Sequence, residues 1–293
     1  MTEPAAAVVD AHHHVWDLAV RDQPWTAGLA PLRRSFSLDD LRPGLERGGV
    51  TSTIVVQTVT LEQETPELLA LAAAEPLVAG VVGWTPLDAP GIGDRLAELR
   101  SLPGGRYLAG VRHQVQAEPD PWWLSRPEVR RGLAAVGAAG LAYDLLVTAE
   151  QLPAAIQATR ALPEVRFVLD HAGNPSVDPV AGECWRRDIA ELSRAANVTV
   201  KLSGLVTRAY PDHVPASVLA SWARVLLDRF GPDRIMFGSD WPVCTLSAPY
   251  GQVLALARDA IAGLSPAERA SVLGGTAVRA YRLRKHDDAT VKA

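Results

Sequence analysis

The chain has 293 residues, 48% of them hydrophobic, with a net charge of −4 and two cysteines, a size that suits one α/β barrel of roughly 250 residues plus loops. No basic run stands out and no apolar stretch approaches the roughly 20 residues of a spanning helix, which argues against nucleic acid or a membrane as partner. Cys184 and Cys244 make no disulfide framework, and residues 1–7 lack the basic start and apolar core of a secretory signal, so a reducing cytoplasm is the expected compartment.

In chain order, the first predicted strand covers 8–14 and carries Asp10-Ala11-His12-His13-His14. Side chains alternate along a strand, so Asp10, His12 and His14 are expected on one face and His13 on the other. Two imidazoles on one face can converge on a metal ion or on one substrate oxygen. Asp10 lies deeper and reads as a buried structural acid, and His13 as structural. Ser37 then opens a helix over 38–47, and a strand follows over 52–58. Thr65-Pro66 opens a helix over 67–74, with proline at a favoured first position. Strands are predicted over 78–84 and 107–113. Pro127 opens a helix over 128–139, and strands follow over 141–147, 165–171 and 198–204. Pro215 opens a helix over 216–230, before a last strand over 235–240. Gly48, Gly140 and Gly231 stand where helices should stop. The tail from about residue 285 is polar and expected to fray.

The strands are nearly continuously apolar, as strands covered on both faces should be. Strand and helix alternating eight times in one chain, with no linker, make a single (β/α)8 barrel over residues 1–293 the economical architecture. A doubly wound open sheet is the alternative.

Barrels of this kind carry their chemistry at the C-terminal strand ends. Those ends supply His12 and His14, then Gln57, Trp84, His113, Asp144, Asp170-His171, Lys201 with Ser203, and Asp240 with Trp241. A carboxylate such as Asp240 takes a proton from water, while imidazoles polarise a carbonyl or donate to the oxyanion that forms. A metal held by His12, His14 and Asp240 would strengthen both effects. No Ser or Cys sits in a nucleophile-elbow pattern, so hydrolysis by activated water is favoured over a covalent route. His113 and His171 join the catalytic candidates. Gln57, Asp144, Lys201 and Ser203 are candidate hydroxyl-binding groups. Trp25, Trp84 and Trp241 are candidate stacking surfaces for a sugar ring.

Asp-x-His-x-His on strand one, His171 on strand six and Asp240 on strand eight resemble the amidohydrolase superfamily. Residues 10–16, Gly110-Val-Arg-His113, Asp170-His-Ala-Gly173, Val200-Lys-Leu-Ser-Gly204 and Phe237-Gly-Ser-Asp-Trp-Pro-Val243 are similar to its sugar-lactonase branch, to which the L-fuconolactonases belong. Asp22-Gln-Pro-Trp25 and Gly274-Gly-Thr-Ala277 extend the resemblance over residues 8–281. It implies a hydrolase acting on a sugar-acid lactone of the L-fucono kind, working with one divalent metal (zinc or manganese) or with none. Two-metal members carry a bridging Lys or Glu on strand four and a His on strand five. His113 and Asp144 stand in those places here, which argues against a binuclear centre. Asn174 stands where close relatives often have Lys. The rival readings are a zinc-dependent decarboxylase of the same superfamily and a barrel that binds a sugar acid without catalysis.

Overall fold

Eight short parallel strands form one sheet in sequence order in the computed structural model, which describes residues 7–283. They are β1 (Val9–His13), β2 (Ser52–Val56), β3 (Val78–Gly83), β4 (Leu108–His113), β5 (Ala142–Leu145), β6 (Arg166–Leu169), β7 (Val198–Leu202) and β8 (Ile235–Phe237). The ring closes between β8 and β1. There the Asp240 amide donates to the His12 carbonyl at 2.8 Å and the His14 amide to the Trp241 carbonyl at 2.7 Å. Closure without an edge excludes the open doubly wound sheet and establishes the (β/α)8 barrel. The predicted tail from residue 285 lies outside the described residues.

The helices are α1 (Leu38–Gly48), α2 (Glu64–Ala74), α3 (Ile92–Ser101), α4 (Pro127–Ala138), α5 (Leu152–Ala161), α6 (Pro179–Leu192), α7 (Ala216–Phe230), α8 (Tyr250–Ala260), α9 (Pro266–Ala270) and α10 (Thr276–Tyr281). Among the described residues, no helix is long and apolar enough to cross a membrane. Ser37 caps α1 in a reciprocal capping box with Asp40. The helix stops one residue later than expected: Gly49, not Gly48, takes the left-handed position at φ 66°. Helix α2 starts before Pro66, at Glu64. Its buried carboxylate accepts from the amides of Thr58 and Val59 at 2.9 and 3.1 Å, which ties the helix start to the end of β2.

Two apolar layers hold the barrel. The larger lies between sheet and helices. The inner one joins Val9, Ala11, Ile54, Val56, Val82, Ala142, Val168 and Met236 to Ala277, Ala280 and Tyr281 of α10. Tyr281 therefore enters the barrel interior from the C-terminal helix.

Strand β1 does not alternate as the sequence suggests. A bulge between Asp10 and His13 sets three residues of β1 against two of β2. Ala11 packs in the inner layer and His12 meets Lys201 inside the barrel, while Asp10 turns toward β8. Asp10 and His12 therefore do not share a face. The Asp10 carboxylate accepts from the amides of His12 at 3.2 Å and Ser239 at 2.8 Å, bracing the seam just beyond the three-residue β8. Asp10 is thus the structural acid it was read to be, for a different reason.

Burial pushes the Asp10 carboxyl up to about 6, against hydrogen bonds from Ser239 and His12 that pull it down. A carboxyl raised above its unfolded value contributes stability that is full below the unfolded pKa and is lost as pH rises through the folded one. Asp10→Asn keeps an acceptor for the Ser239 amide but cannot ionise. Its stability relative to the parent is expected to climb between pH about 4 and about 6 and to be level on either side. Urea melts across that window check this; curves that stay parallel throughout refute it.

Candidate active site

The C-terminal rim encloses a cavity of about 180 Å³ whose lining includes His14, Arg112, His171, Arg208, Asp240 and Trp25. A larger apolar cavity of about 280 Å³ lies between α7 and α8, with Asp259 the one ionisable group in its lining.

Two strained segments place Asp240 and His171 in the cavity wall. Asp240 follows β8 with φ at 58°, in the left-handed region. After β6, His171, Ala172, Gly173 and Asn174 run at φ of 50°, 54°, 70° and 55°, a buried left-handed turn. Each non-glycine residue there costs about 1–2 kcal/mol, so the surroundings must fix it. They do so through the Trp185 indole, which donates to the Ala172 carbonyl at 2.7 Å, and the Asn174 side-chain amide, which donates to Val147 at 2.8 Å. These turns end β6 at Leu169 and β8 at Phe237, short of the predicted 171 and 240.

The outcome is a cluster of imidazoles around one carboxylate oxygen. Asp240 Oδ1 lies 3.8 Å from His12 Nε2, 3.6 Å from His14 Nε2 and 3.9 Å from His171 Nε2. His12 Nε2 and His14 Nε2 are 3.2 Å apart. All four residues are buried. His12, His171 and Asp240 offer donor atoms within 4.8 Å of one another, while His14, expected from the sequence as a ligand, lies 3.2 Å from His12 and 3.6 Å from Asp240.

These residues fit a divalent metal. Ligands of a tetrahedral ion at 2.0–2.1 Å are about 3.3 Å apart, close to the separations between the Nε2 atoms and Oδ1. The Nδ1 atoms are engaged behind them: His14 donates to the Val56 carbonyl at 2.8 Å, and His171 pairs with Ser203 Oγ at 2.9 Å. Metal-binding histidines are commonly oriented by such outer partners. His12 Nδ1 lies 3.4 Å from Asp170 Oδ1, an oxygen that is buried and without a hydrogen-bond donor in good geometry.

Below the cluster runs a buried chain of charges. Tyr281 donates to both Asp144 oxygens at 2.8 and 2.7 Å, and Asp144 pairs with Lys201 at 2.6 Å. Lys201 also lies 2.9 Å from Asp170 and 3.1 Å from His12 Nδ1, and Asp170 pairs with Arg112 at 3.1 Å. Burial pushes the Asp144 carboxyl up to about 6 against the opposing pull of Lys201. Burial also pushes Asp170 up, but Lys201, His12 and Arg112 outweigh it and hold its carboxyl well below the usual range. Burial, with Lys201 beside it, holds the His12 imidazole well below its ordinary value, and burial lowers His171 too; both are therefore neutral near pH 7.

Several sequence candidates fall elsewhere. Asp144 and Lys201 have no exposed surface and do not line the cavity, so they support His12 and do not meet substrate hydroxyls. His113 points to the outer side of β4. Its Nε2 lies 2.7 Å from Glu118, its Nδ1 takes the Trp84 indole at 2.9 Å, and its ring stacks on Trp123 at 4.4 Å. His113 and Trp84 therefore bind each other away from the rim. The inward residue of β4 is Arg112, which pairs in register with Asp144. Gln57 is buried with its side-chain amide on the Arg112 carbonyl at 3.2 Å, while its own carbonyl accepts from the Arg112 guanidinium. Trp241 is buried edge-on against Phe36 and leaves the cavity wall to Trp25. Ser203 acts on His171 from behind. Asp170 was read at the end of strand six without a role, and Arg112, Arg208 and Tyr281 were not among the sequence candidates.

His113→Gln is accordingly expected to leave kcat/KM within about threefold, where loss of an acid or base costs about 10²–10⁴. Steady-state kinetics check this, and a loss of a hundredfold or more would return His113 to the chemistry.

Comparison with known proteins gives a consistent set of relatives. Residues 9–283 match a family model described as amidohydrolase. The chain is 41% identical over 294 residues to an L-fucono-1,5-lactonase of Burkholderia multivorans, covering 96% of this chain and 98% of that one. It is 37% identical to an L-fucono-1,5-lactonase of Burkholderia ambifaria, over 94% and 95% of the two chains. A crystal structure of a Burkholderia multivorans amidohydrolase with bound zinc superposes with a TM-score of 0.90 at 38% identity, covering 95% of this chain and all of that one.

Proposed function

Because this chain belongs to the amidohydrolase family, we propose that its rim cavity hydrolyses the ring ester of a sugar-acid lactone, with L-fucono-1,5-lactone as the leading substrate. The observation that carries this reading is the buried Asp240 carboxylate facing three imidazole nitrogens in a cavity sized for one small molecule.

In this reading the lactone carbonyl sits between His171 and Arg112. Ser203 donates to His171 Nδ1, which leaves Nε2–H to donate to the carbonyl oxygen as negative charge develops there. Asp240 takes a proton from the attacking water. When the tetrahedral adduct collapses, the same proton passes from Asp240 to the departing ring oxygen, giving the open hydroxy acid. Arg208, beside Asp240 at the cavity wall, offsets the charge of the carboxylate product. Trp25 supplies an apolar face for the sugar ring, and Gln116 and Asn174 supply polar groups for hydroxyls. A divalent metal on His12, His14 or His171 with Asp240 would polarise the same carbonyl as a Lewis acid.

The test is a rate comparison over fucono-, rhamnono-, galactono- and arabinono-lactones, with chelator and with added zinc or manganese. L-fucono-1,5-lactone is expected to be hydrolysed fastest. Absence of turnover with every sugar lactone, or activity on aromatic carboxylates alone, would overturn the reading in favour of a sugar-acid binder or a decarboxylase.

A further inference from the structure

The polarity of the cavity wall is set by the main-chain groups behind it. A peptide carbonyl only accepts, so a side-chain amide bonded to one has its nitrogen there and its oxygen at the other end. Asn174 donates from Nδ2 to the Val147 carbonyl at 2.8 Å and to Gln116 Oε1 at 3.3 Å, which uses both of its protons. Its Oδ1 takes no hydrogen bond among the described residues. The bond from Asn174 fixes Gln116 in turn, with Oε1 toward Asn174 and Nε2 as the end left over. Gln114 is fixed the same way: Nε2 donates to the Thr58 carbonyl at 2.6 Å and Oε1 is left over. All three amides line the rim cavity.

Asn174 is the most tightly held of them. It is buried and closes the left-handed turn that carries His171, at φ 55°, a conformation that Asn tolerates better than most residues. Its main-chain amide donates to the His171 carbonyl at 2.9 Å. The side-chain oxygen at position 174 and the imidazole at position 171 are thus fixed relative to one another by one short, rigid segment. A bound molecule that displaces water from that oxygen must supply a proton to it or leave it unpaired.

We propose that Asn174 is a specificity-determining residue, whose Oδ1 accepts from one hydroxyl of the bound lactone while Gln116 Nε2 donates to a hydroxyl oxygen beside it. A hydroxyl both donates and accepts, so it satisfies this wall; a carboxylate, an ether or a fluorine only accepts, and leaves Oδ1 unpaired. Groups that only accept, the ring carbonyl above all, are directed instead toward Arg112 and Arg208, whose guanidiniums only donate. The wall thereby selects a neutral polyhydroxy lactone and sets which end of it faces His171. This deepens the reading of the rim as a sugar-lactone site and rests on it.

The test is calorimetric binding of L-fucono-1,5-lactam, a neutral isostere whose ring amide resists hydrolysis, compared with its 2-, 3- and 4-deoxyfluoro analogues. Fluorine replaces a hydroxyl with little change of size but cannot donate. One of the three analogues is expected to bind the parent about tenfold more weakly than the lactam. In Asn174→Gly, which keeps the left-handed backbone, that analogue is expected to bind within about twofold of the lactam. In Asn174→Asp, which puts a charged acceptor at the same place, the discrimination is expected to rise above tenfold. A residue that only supports the fold would not move the ratio in opposite directions. Equal affinity of the parent for all four compounds overturns the proposal, as does no binding of the lactam, or a discrimination that either folded variant leaves unchanged. Binding is read without turnover, so a protein that sorts these compounds as expected but hydrolyses no lactone would refute the lactonase reading and leave this one standing.

Discussion

Asp240→Asn is expected to lower kcat for lactone hydrolysis by about 10²–10⁴ while the protein stays folded, because a positioned acid or base contributes about that much. The substitution keeps the shape of the side chain. It also keeps the amide that donates to the His12 carbonyl at 2.8 Å and closes the barrel seam. Asn tolerates the left-handed backbone that position 240 adopts at φ 58°. What it removes is the carboxylate oxygen 3.6–3.9 Å from the three imidazole nitrogens. Kinetics on the substituted protein, with thermal melting as the check on folding, decide the point. Turnover near the parent rate with an unchanged melt would remove Asp240 from the role of base.

Gly204→Ala is expected to damage both fold and rate. Gly204 has φ +63°, a conformation that costs a residue with a Cβ about 1–2 kcal/mol. An added Cβ would lie 2.5 Å from His171 Nδ1, so the ring can make room only by giving up its 2.9 Å contact with Ser203. His171 must tilt away from Asp240. A displacement near 1 Å at a reacting group costs on the order of 10²-fold in rate. The variant should therefore lose about 1–2 kcal/mol in a urea melt and about a hundredfold in kcat/KM. Full activity would mean that His171 has room the structure does not show.

The barrel itself was legible because each strand is covered on both faces and so reads as an unbroken apolar run, from Ile54-Val55-Val56 to Phe167-Val168-Leu169. Asp240 and the pair His12 and His14 were legible as polar residues closing such runs. Two of the errors share one physical origin: strand alternation was extended past the points where the backbone leaves the sheet or slips. A bulge in β1 put Asp10 and His12 on different faces. Left-handed turns after β6 and β8 ended those strands early. On β4 the choice of His113 over Arg112 favoured the more familiar chemical group over the inward parity. Counting back from Asp144, whose register partner is Arg112, would have found the inward residue. Tyr281 carried no local signal, since it reaches Asp144 from the far end of the barrel across 137 positions.

The buried charges beneath the rim explain why so polar a floor persists. Removing one member of a buried ion pair costs about 3–5 kcal/mol, because the survivor is left unpaired in a low dielectric. Asp144, Lys201, Asp170 and Arg112 are paired in series, so His12 inherits a fixed orientation from this chain, of which Arg112 alone reaches the cavity wall.

We propose that Asp240 activates water and does not itself attack the lactone. A single turnover in oxygen-18 water, with enzyme in excess over L-fucono-1,5-lactone, tests it most directly. One heavy oxygen in the carboxylate of every product molecule, with none in the peptide bearing Asp240, is the result predicted. Product carrying only light oxygen after that first turnover, with label appearing in Asp240, would show a covalent acyl intermediate and contradict the account.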